Sequence, residues 1–407
     1  MRACVRSSQP GLPAAAVTRR TKSESIIGRP PVIERRNRHF DELVERKGLM
    51  WLGQNTNHFQ PHPAVRAAML ECIDSGEFHL YAPPLGLEAL RRGILADLGI
   101  KTGLSVLVTD GAIEGLYHAC RTLLKPGDEM LVTDPGWLWP RQFAASAGAV
   151  VTEIPIYDQS KGFRLSPARL RAAMTPRTRL VYLVDPSNPL GSVQTEEEVR
   201  EIAEICRAAG SILVHDCTYR HFAAEHRLAA DHYPEGTITT YSFSKWLGIA
   251  GLRLGALVAS PELIGSLAEA PPNNLGASFL AQRAALAGLE HKSEWFPAVQ
   301  AAQLANQASI KAAVDAIPGL ELTVYPSNGN FVCIDVRGAS IAPDRLCEYY
   351  LESDILVRQG RYHTSRFAER FIKVGTTTPS EWITAFCDHL GEAVARCRGQ
   401  SAAGELF

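Results

Sequence analysis

The sequence lacks the apolar run of about 20 residues that a membrane-spanning helix needs, so it predicts a protein without a membrane span. It also lacks an excess of charge of one sign, since its formal net charge is -1 at pH 7. A nearly neutral chain has no strong non-specific attraction for nucleic acid or for an anionic membrane surface. The composition therefore predicts neither of these as a partner.

Paired cysteines are absent as well. The nine cysteines are scattered and form no Cys-x-x-Cys pair, so the sequence indicates neither a disulfide framework nor a metal site. Most lie in apolar surroundings and are interpreted as reduced thiols, which favours a cytoplasmic protein. Residues 1–30 have no apolar signal segment and no acidic residue before Glu24. We interpret them as a disordered tail, with an organelle transit peptide as the alternative.

The stretch from Tyr241 to Gly255 holds the residues that most suggest chemistry. A β-like run ends in two serines, the first of them Ser242, followed by Lys245 and, eight positions later, Arg253. A lysine that is desolvated among hydroxyl groups has a lowered pKa and can act as an amine nucleophile. The alternative is a surface lysine and arginine in a polar turn.

Apolar strands alternate with helical patterns through the middle of the chain, and the rhythm changes to β-β-α-β-β-α after Pro318. Near-continuous apolar strands between helices predict a mainly parallel sheet covered on both faces. We expect an α/β protein: a large domain with a mainly parallel sheet flanked by helices, plus a smaller α+β C-terminal domain. The predicted divisions are the tail at 1–30, an N-terminal part of the small domain at 31–75, the large domain at 76–300 and the small domain at 301–407.

Polar residues and turns follow the predicted strands. In an open α/β sheet the ligand lies at the carboxyl ends of the strands, so these residues are expected to meet there. A strand turns into a helix at Gly111, where backbone N–H groups could hold a phosphate. The residues at these strand ends are Ala112, Ile113, Trp137, Asn188, Asp216 and Tyr219.

The order and spacing of these residues are similar to those of a known family. Asn188-Pro-x-Gly, Asp216-x-x-Tyr219, Ser242-x-x-Lys245 and Arg253 resemble the motifs of fold type I pyridoxal-phosphate enzymes of the aspartate aminotransferase superfamily. Segments 51–57 and 327–332 are similar to those of the histidinol-phosphate aminotransferase-like branch. The resemblance covers about residues 45–395.

The resemblance implies a role for each residue around the pyridoxal 5'-phosphate cofactor. The catalytic residues would be Lys245, which forms a Schiff base with the cofactor and moves the proton at Cα, Asp216, which pairs with the ring nitrogen, and Tyr219, which with Asn188 binds the 3-hydroxyl oxygen. Trp137 would stack on the ring, although Trp139 could take that place. The implied cofactor-binding set is Tyr81, Ala112, Ile113, Trp137, Asn188, Asp216, Tyr219, Ser242, Lys245 and Arg253.

Partners and substrate follow from the same resemblance. Tyr81 resembles the family tyrosine that reaches the phosphate in the neighbouring subunit, which implies a homodimer with shared active sites. The substrate would be an amino acid or a related amine, contacted by Asn55, Asn330 and Lys373. No metal ion is expected.

The chain departs from the family at Lys373, where an arginine is expected to grip the substrate carboxylate. Lysine lacks the planar fork of arginine. Lys373 could still hold a carboxylate, a nearby arginine (Arg358, Arg361, Arg366 or Arg370) could replace it, or the substrate could lack this carboxylate. A surface lysine on an edge strand is the further alternative.

The leading hypothesis is therefore a pyridoxal-phosphate-dependent aminotransferase. The alternative on the same scaffold is a lyase or cyclase that decarboxylates its substrate or eliminates or replaces a group at Cβ or Cγ, because the cofactor supports all of these reactions. A regulatory module that binds the cofactor without turnover is disfavoured, since the sequence shows no helix-turn-helix extension or basic domain.

Overall fold

The computed structural model describes residues 32–269, 271 and 273–401, and the tail predicted at 1–30 lies outside them. The chain divides into two compact units between Lys47 and Gly48. The described part of the first unit is the helix α1 (Val32–Glu45). Because the described residues from Gly48 onward form a single compact unit, the domain boundaries near residues 75 and 300 stay predictions.

The second unit contains the strands and the remaining helices. The strands are β1 (Met50–Trp51), β2 (Ser105–Thr109), β3 (Glu129–Asp134), β4 (Val150–Pro155), β5 (Thr178–Val184), β6 (Ile212–Asp216), β7 (Thr237–Ser242), β8 (Gly255–Ala259), β9 (Glu321–Leu322), β10 (Phe331–Asp335), β11 (Ile355–Leu356), β12 (Arg358–Gln359) and β13 (Phe371–Gly375). The helices are α2 (Pro63–Asp74), α3 (Glu88–Leu98), α4 (Ala112–Leu123), α5 (Trp139–Ser146), α6 (Pro167–Ala173), α7 (Glu196–Ala209), α8 (Pro261–Ala268), α9 (Phe279–Glu290), α10 (Lys292–Asp315), α11 (Pro343–Glu352) and α12 (Ser380–Cys397).

A seven-stranded sheet in the order β2-β8-β7-β6-β5-β3-β4 forms the centre of this unit. Strands β3 to β7 are parallel to their neighbours within that run, and β8 is antiparallel to both β2 and β7. The predicted mainly parallel sheet is confirmed. Its parallel strands all end at the same edge, and that edge carries Asp216 and the residues after β5 and β7.

Helices cover both faces of the sheet because successive strand residues point to opposite sides. On β8, Leu257 packs in one apolar cluster with α4 and α8, whereas Val258 packs in another with α3 and α9. Farther along the sheet, α6 and α7 cover Val181 and Leu213. This burial on two faces explains why the strands are near-continuous apolar runs.

A smaller antiparallel sheet in the order β12-β13-β10-β9 follows, together with the short parallel pair β1-β11. Its core is shared with α10, α11 and α12. The predicted α+β pattern is thus confirmed, and β13, which carries Lys373, lies inside the sheet between β12 and β10. Among the described residues, none of the helices combines the length and apolar character that a membrane crossing needs.

The sequence patterns located most elements, and one region shows their limit. The residues Thr195-x-x-Glu198 form a capping box at the start of α7, a start signal that is visible in the sequence. The helices α8 and α9, in contrast, were not predicted. The buried side of α9 consists largely of small residues such as Ala281 and Ala285, and alanines on a helix give little contrast between an apolar and a polar face.

Candidate active site

Tyr219 stands at the centre of a hydrogen-bonded chain at the carboxyl edge of the sheet. Its buried hydroxyl accepts from Asn55 Nδ2 at 3.0 Å and from Asn188 Nδ2 at 3.2 Å. Asn188 Oδ1 in turn accepts from Lys373 Nζ at 3.2 Å. The structure therefore joins four of the residues singled out in the sequence, from four separate parts of the chain, in one continuous network.

Asp216 ends β6 and is 3% exposed. Its Oδ1 accepts from the Thr240 hydroxyl at 2.6 Å and from Thr218, through the hydroxyl at 2.7 Å and the backbone N–H at 3.2 Å. Its Oδ2 accepts from the Tyr182 hydroxyl at 2.6 Å. A carboxylate has about four acceptor sites, so Oδ2 retains capacity for one further donor.

Lys245 follows β7 and is half-buried. Its Nζ donates to the backbone oxygen of Gln54 at 3.1 Å. Burial lowers the pKa of Lys245 to about 8, and the charge of Arg253 contributes to the shift. A lysine whose pKa lies near neutrality has an available lone pair, as the sequence interpretation of Ser242-x-x-Lys245 requires.

The start of α4 faces Arg253 across a glycine. Gly111 has φ +82°, and a Cβ at this position would lie 2.6 Å from a terminal nitrogen of Arg253. Ala112 and Ile113 are the first residues of α4, where N–H groups have no acceptor within the helix. Ser242 pairs with Gly255 in the sheet, and a Cβ on Gly255 would lie 2.3 Å from the Ala112 nitrogen. The hydroxyl-bearing strand end, the arginine and the helix start thus meet around glycines.

Lys373 is 3% exposed and lies over the ring of Phe331, with Nζ 5.3 Å from its centre. The alternative of a surface lysine on an edge strand is therefore wrong, because β13 is an interior strand of its sheet. Of the four arginines considered beside it, Arg358 lies opposite Lys373 on β12 and is buried. The others contact other groups: Arg361 pairs with Asp344 and Glu369, Arg366 with Asp134, and Arg370 lies over Tyr157 and Phe367.

The remaining predicted residues occupy different surroundings. Asn330 is fully buried and donates to the Asn55 backbone oxygen at 3.0 Å, so it supports the loop that carries Asn55. Trp137 is half-buried beside the apolar cluster under α4 and α5, and the Trp139 ring stacks on Phe143. Tyr81 is 78% exposed. The ring-stacking role of Trp137 stays a prediction.

A family model for aminotransferase class I and II matches residues 47–390. The chain belongs to this aminotransferase family. It is 26% identical to an aspartate aminotransferase of Pyrococcus horikoshii, over 87% of this chain and 93% of that protein. It is 29% identical to a histidinol-phosphate aminotransferase of Methanothermobacter thermautotrophicus, over 88% and 93%. Among solved structures, the aspartate aminotransferase from Thermus thermophilus with maleate matches with a TM-score of 0.79 and 26% identity, covering 90% of this chain and 97% of the other.

Members of this family use pyridoxal phosphate, and the site of this aminotransferase fits that group. Gly111 allows the guanidinium of Arg253, which suits a phosphate, to lie directly against the start of α4. Asp216 Oδ2 has room for the proton on a ring nitrogen, and Asn55 Oδ1 is buried without a hydrogen-bond partner among the described residues. The predicted cofactor is confirmed, while the residue assignments remain proposals.

Two supports of Asp216 were missed in the sequence. Tyr182 is the single aromatic residue in the otherwise aliphatic end of β5, and it lies on the strand next to β6. Thr240 pairs with Asp216 across β6 and β7. Both could have been suspected, since β5, β6 and β7 were predicted as strands of a mainly parallel sheet. Their partner could not, because strand order is not written in the local pattern.

A second polar cluster lies behind Asp216. Ligand-type atoms of His215, Cys217 and His226 lie within 4.8 Å of one another. The backbone N–H of Ala229 donates to His215 Nδ1 at 3.2 Å, and His226 Nε2 lies 3.0 Å from the Asp185 backbone oxygen. His215 Nδ1 thus acts as an acceptor and His226 Nε2 as a donor, while His226 Nδ1 is buried without a hydrogen-bond partner among the described residues.

Replacing Gly111 by alanine is expected to weaken cofactor binding about tenfold to a hundredfold, because the added methyl displaces Arg253 and strains a backbone at positive φ. Gly127 provides the matched control. Its φ is +90°, and a Cβ there would meet nothing within 4 Å. Equilibrium titration of the apoenzymes with pyridoxal phosphate measures both variants. Equal dissociation constants for G111A and G127A would contradict the phosphate site.

Proposed function

We propose that this aminotransferase transfers the amino group of an α-amino acid to a 2-oxo acid, with Lys245 as the proton carrier. The observation that carries the proposal is the network Asn55–Tyr219–Asn188–Lys373, which links the Lys245 side of the site to the buried Lys373. Lys373 lies opposite the buried guanidinium of Arg358, and this pair is suited to a substrate carboxylate. Asn55, Asn330 and the two buried basic residues Lys373 and Arg358 would form the wall around the substrate.

Each residue has a distinct task in this scheme. Bound pyridoxal phosphate supplies an electron sink for the pair released when a bond to the substrate Cα breaks. Lys245 removes the proton from Cα and returns a proton at the cofactor C4' position, which an amine with a pKa of about 8 can do in both directions near neutral pH. Asp216 holds the proton on the ring nitrogen.

Tyr219 and Asn188 would set the position and proton affinity of the 3-hydroxyl oxygen. Burial raises the pKa of Tyr219 above its ordinary range, so this phenol stays protonated at neutral pH and can donate one hydrogen bond. Its two amide partners donate to the phenol oxygen, which leaves the phenol proton free to point toward the cofactor. The arrangement therefore orients a donor without adding a charge.

The carboxylate would be held by Lys373 and Arg358, which lie opposite each other on adjacent antiparallel strands. Arg358 also lies over the Tyr362 ring, with its central carbon 4.6 Å from the ring centre. This contact orients the planar guanidinium. Lys373 contributes a single charged donor, and the planar fork that it lacks is supplied by Arg358.

A panel of amino acids mixed with the purified holoenzyme tests the proposal. With an amino donor and no acceptor, an aminotransferase converts the cofactor to its amine form once and stops. A lyase or cyclase regenerates the aldehyde form at every turnover, so product accumulates beyond one equivalent. Absorption spectra combined with mass analysis of products distinguish these results. Product in excess of one equivalent without an acceptor would overturn the transfer reaction and favour the alternative chemistry.

We further propose that two copies of the chain form a dimer through an exposed apolar surface, here called the Tyr81 patch. It consists of Leu70, Ile73, Phe78, Leu80, Tyr81 and Leu275. These side chains come from α2, the segment after it and the loop before α9, and Gly276 lies against the backbone of Ala82. Exposed apolar side chains on these segments favour a protein interface.

Leu80→Asp is expected to convert a dimer of the 44.4 kDa chain into monomers, because it places a charge in the Tyr81 patch. Since Tyr81 would reach the partner's phosphate site, the same variant should lose cofactor affinity about tenfold or more. Leu304→Asp is the control, as Leu304 is similarly exposed on α10 outside the patch. Sedimentation velocity reports the mass. A wild-type monomer, or a dimer unaffected by L80D, would rule out this interface.

A further inference from the structure

Lys373 lies beside other basic groups, and no carboxylate of the described residues is among the groups that act on it. The charged or titratable groups that act on it come from three elements: Arg358 on β12, Cys333 on β10 and Lys245 after β7. Cys333 supplies no negative charge, because burial raises the pKa of its thiol far above neutrality. His363 also lies close enough to be affected by the Lys373 charge.

The neutral contacts of Lys373 do not replace a counter-ion. Its Nζ donates to Asn188 Oδ1 at 3.2 Å and lies over the Phe331 ring. One amide oxygen and one ring face satisfy part of an ammonium group, which has three donors. His363 is fully buried and its Nε2 has no hydrogen-bond partner among the described residues. A charged His363 would add a further cation, and burial together with Lys373 and Arg358 lowers its pKa.

Desolvation and nearby like charges both disfavour the ammonium form of a lysine. Burial lowers the pKa of Lys373 well below its ordinary range, and the charge of Arg358 acts in the same direction. An arginine in this position would keep its charge under all these conditions, because guanidinium does not lose its proton in proteins. A lysine at this position can therefore be either neutral or charged, whereas an arginine would always be charged.

We propose that Lys373 is neutral in the substrate-free site and takes up one proton from solvent when a substrate carboxylate binds beside it. The proposal rests on the function proposed above, in which Lys373 and Arg358 hold the carboxylate. The arriving anion supplies the missing counter-charge, so the ammonium form becomes the stable one. Carboxylate binding is thereby coupled to protonation of Lys373. Lys373 serves as a specificity-determining residue, because it stabilises a bound anionic group only after it has taken up a proton.

The coupling has a defined direction with pH. A group that is neutral in the free site and charged in the complex makes binding weaker as pH rises, by up to about tenfold per pH unit between the two pKa values. Below the pKa of Lys373 in the free site, the lysine already carries its proton and the dependence disappears. Arginine at the same position gives binding that does not depend on pH through this residue.

Calorimetric titration of the holoenzyme with two carboxylates that lack an amino group, succinate and 3-phenylpropanoate, tests the proposal. Titrations in buffers of different ionisation enthalpy at one pH give the number of protons taken up. We expect about one proton per bound carboxylate for the wild type and none for Lys373→Arg. Carboxylate binding by the wild type without proton uptake, or equal uptake by K373R, would overturn the proposal.

A second measurement does not depend on the variant or on a ligand. Lysine labelled with 13C at the ε carbon reports the protonation of Lys373 in the holoenzyme between about pH 6 and about pH 10. A Lys373 signal that stays charged to the top of this range would equally refute the neutral lysine. A third outcome is that neither carboxylate binds but the labelled Lys373 loses its proton within this pH range. The assignment of Lys373 to a substrate carboxylate would then be wrong, and only the neutral state of Lys373 in the free holoenzyme would be correct.

Discussion

Lys245→Ala is expected to lower kcat/KM by about 10⁴-fold or more, since it removes both the covalent anchor of the cofactor and the proton carrier at Cα. Its Nζ makes one hydrogen bond among the described residues, to the Gln54 backbone oxygen, so the fold should tolerate the loss. Half-reaction rates with a reactive amino donor measure the effect. Borohydride treatment of the wild type should leave the reduced cofactor on the peptide that contains Lys245.

The appropriate control is Lys161→Ala, which removes an exposed lysine far along the chain from the site. It should leave the half-reaction rate within about twofold of wild type. A K245A enzyme that retained wild-type rates, or a reduced cofactor attached to another lysine, would remove Lys245 from the centre of the mechanism. Circular dichroism of both variants separates lost chemistry from lost folding.

The lowered pKa of Lys245 should also affect how the stability of the apoenzyme depends on pH. Its pKa is about 8 in the folded chain and about 10.4 in an unfolded chain, so the folded state binds fewer protons between these values. Stability therefore rises with pH across this window, and the cost of burying the charged lysine is constant below about pH 8. The difference in melting temperature between apo wild type and apo K245A should change in favour of wild type as pH increases from 8 to 10.

The proposed cofactor site was largely predictable because its residues follow strands directly. Strand periodicity located the ends of β5, β6 and β7, and a parallel sheet brings such ends together. Asn188, Asp216 and Lys245 were therefore placed near one another before the strand order was known. The proposed phosphate site was predictable for a similar reason, since Gly111 marks a strand-to-helix turn whose conformation favours glycine.

The substrate side was less predictable, because its geometry depends on pairing between distant strands. The local sequence around Lys373 fits an exposed edge strand as well as an interior one, and only the register between β12, β13 and β10 places it in the interior. The same register selects Arg358 from the four nearby arginines. Asn55 and Asn330 meet through a bond spanning 275 positions, which no local pattern encodes.

Asp216→Asn is expected to lower kcat by about 10³-fold while the protein continues to bind the cofactor. The carboxylate charge keeps the ring nitrogen protonated, and a neutral amide cannot stabilise that positive charge. Hydroxyl groups of Tyr182, Thr218 and Thr240 hold the side chain in place. They can rotate to suit the amide, so the loss should appear in catalysis more than in folding.

Thr240→Val supplies the control that separates charge from position. It removes one donor to Asp216 Oδ1 and keeps both the shape of residue 240 and the carboxylate, so a loss of at most about tenfold is expected. If D216N and T240V reduced kcat equally, orientation would account for the effect and the ring-nitrogen role would be wrong. A much larger loss in D216N assigns the effect to the charge, because T240V keeps the carboxylate and loses only one of its four hydrogen bonds.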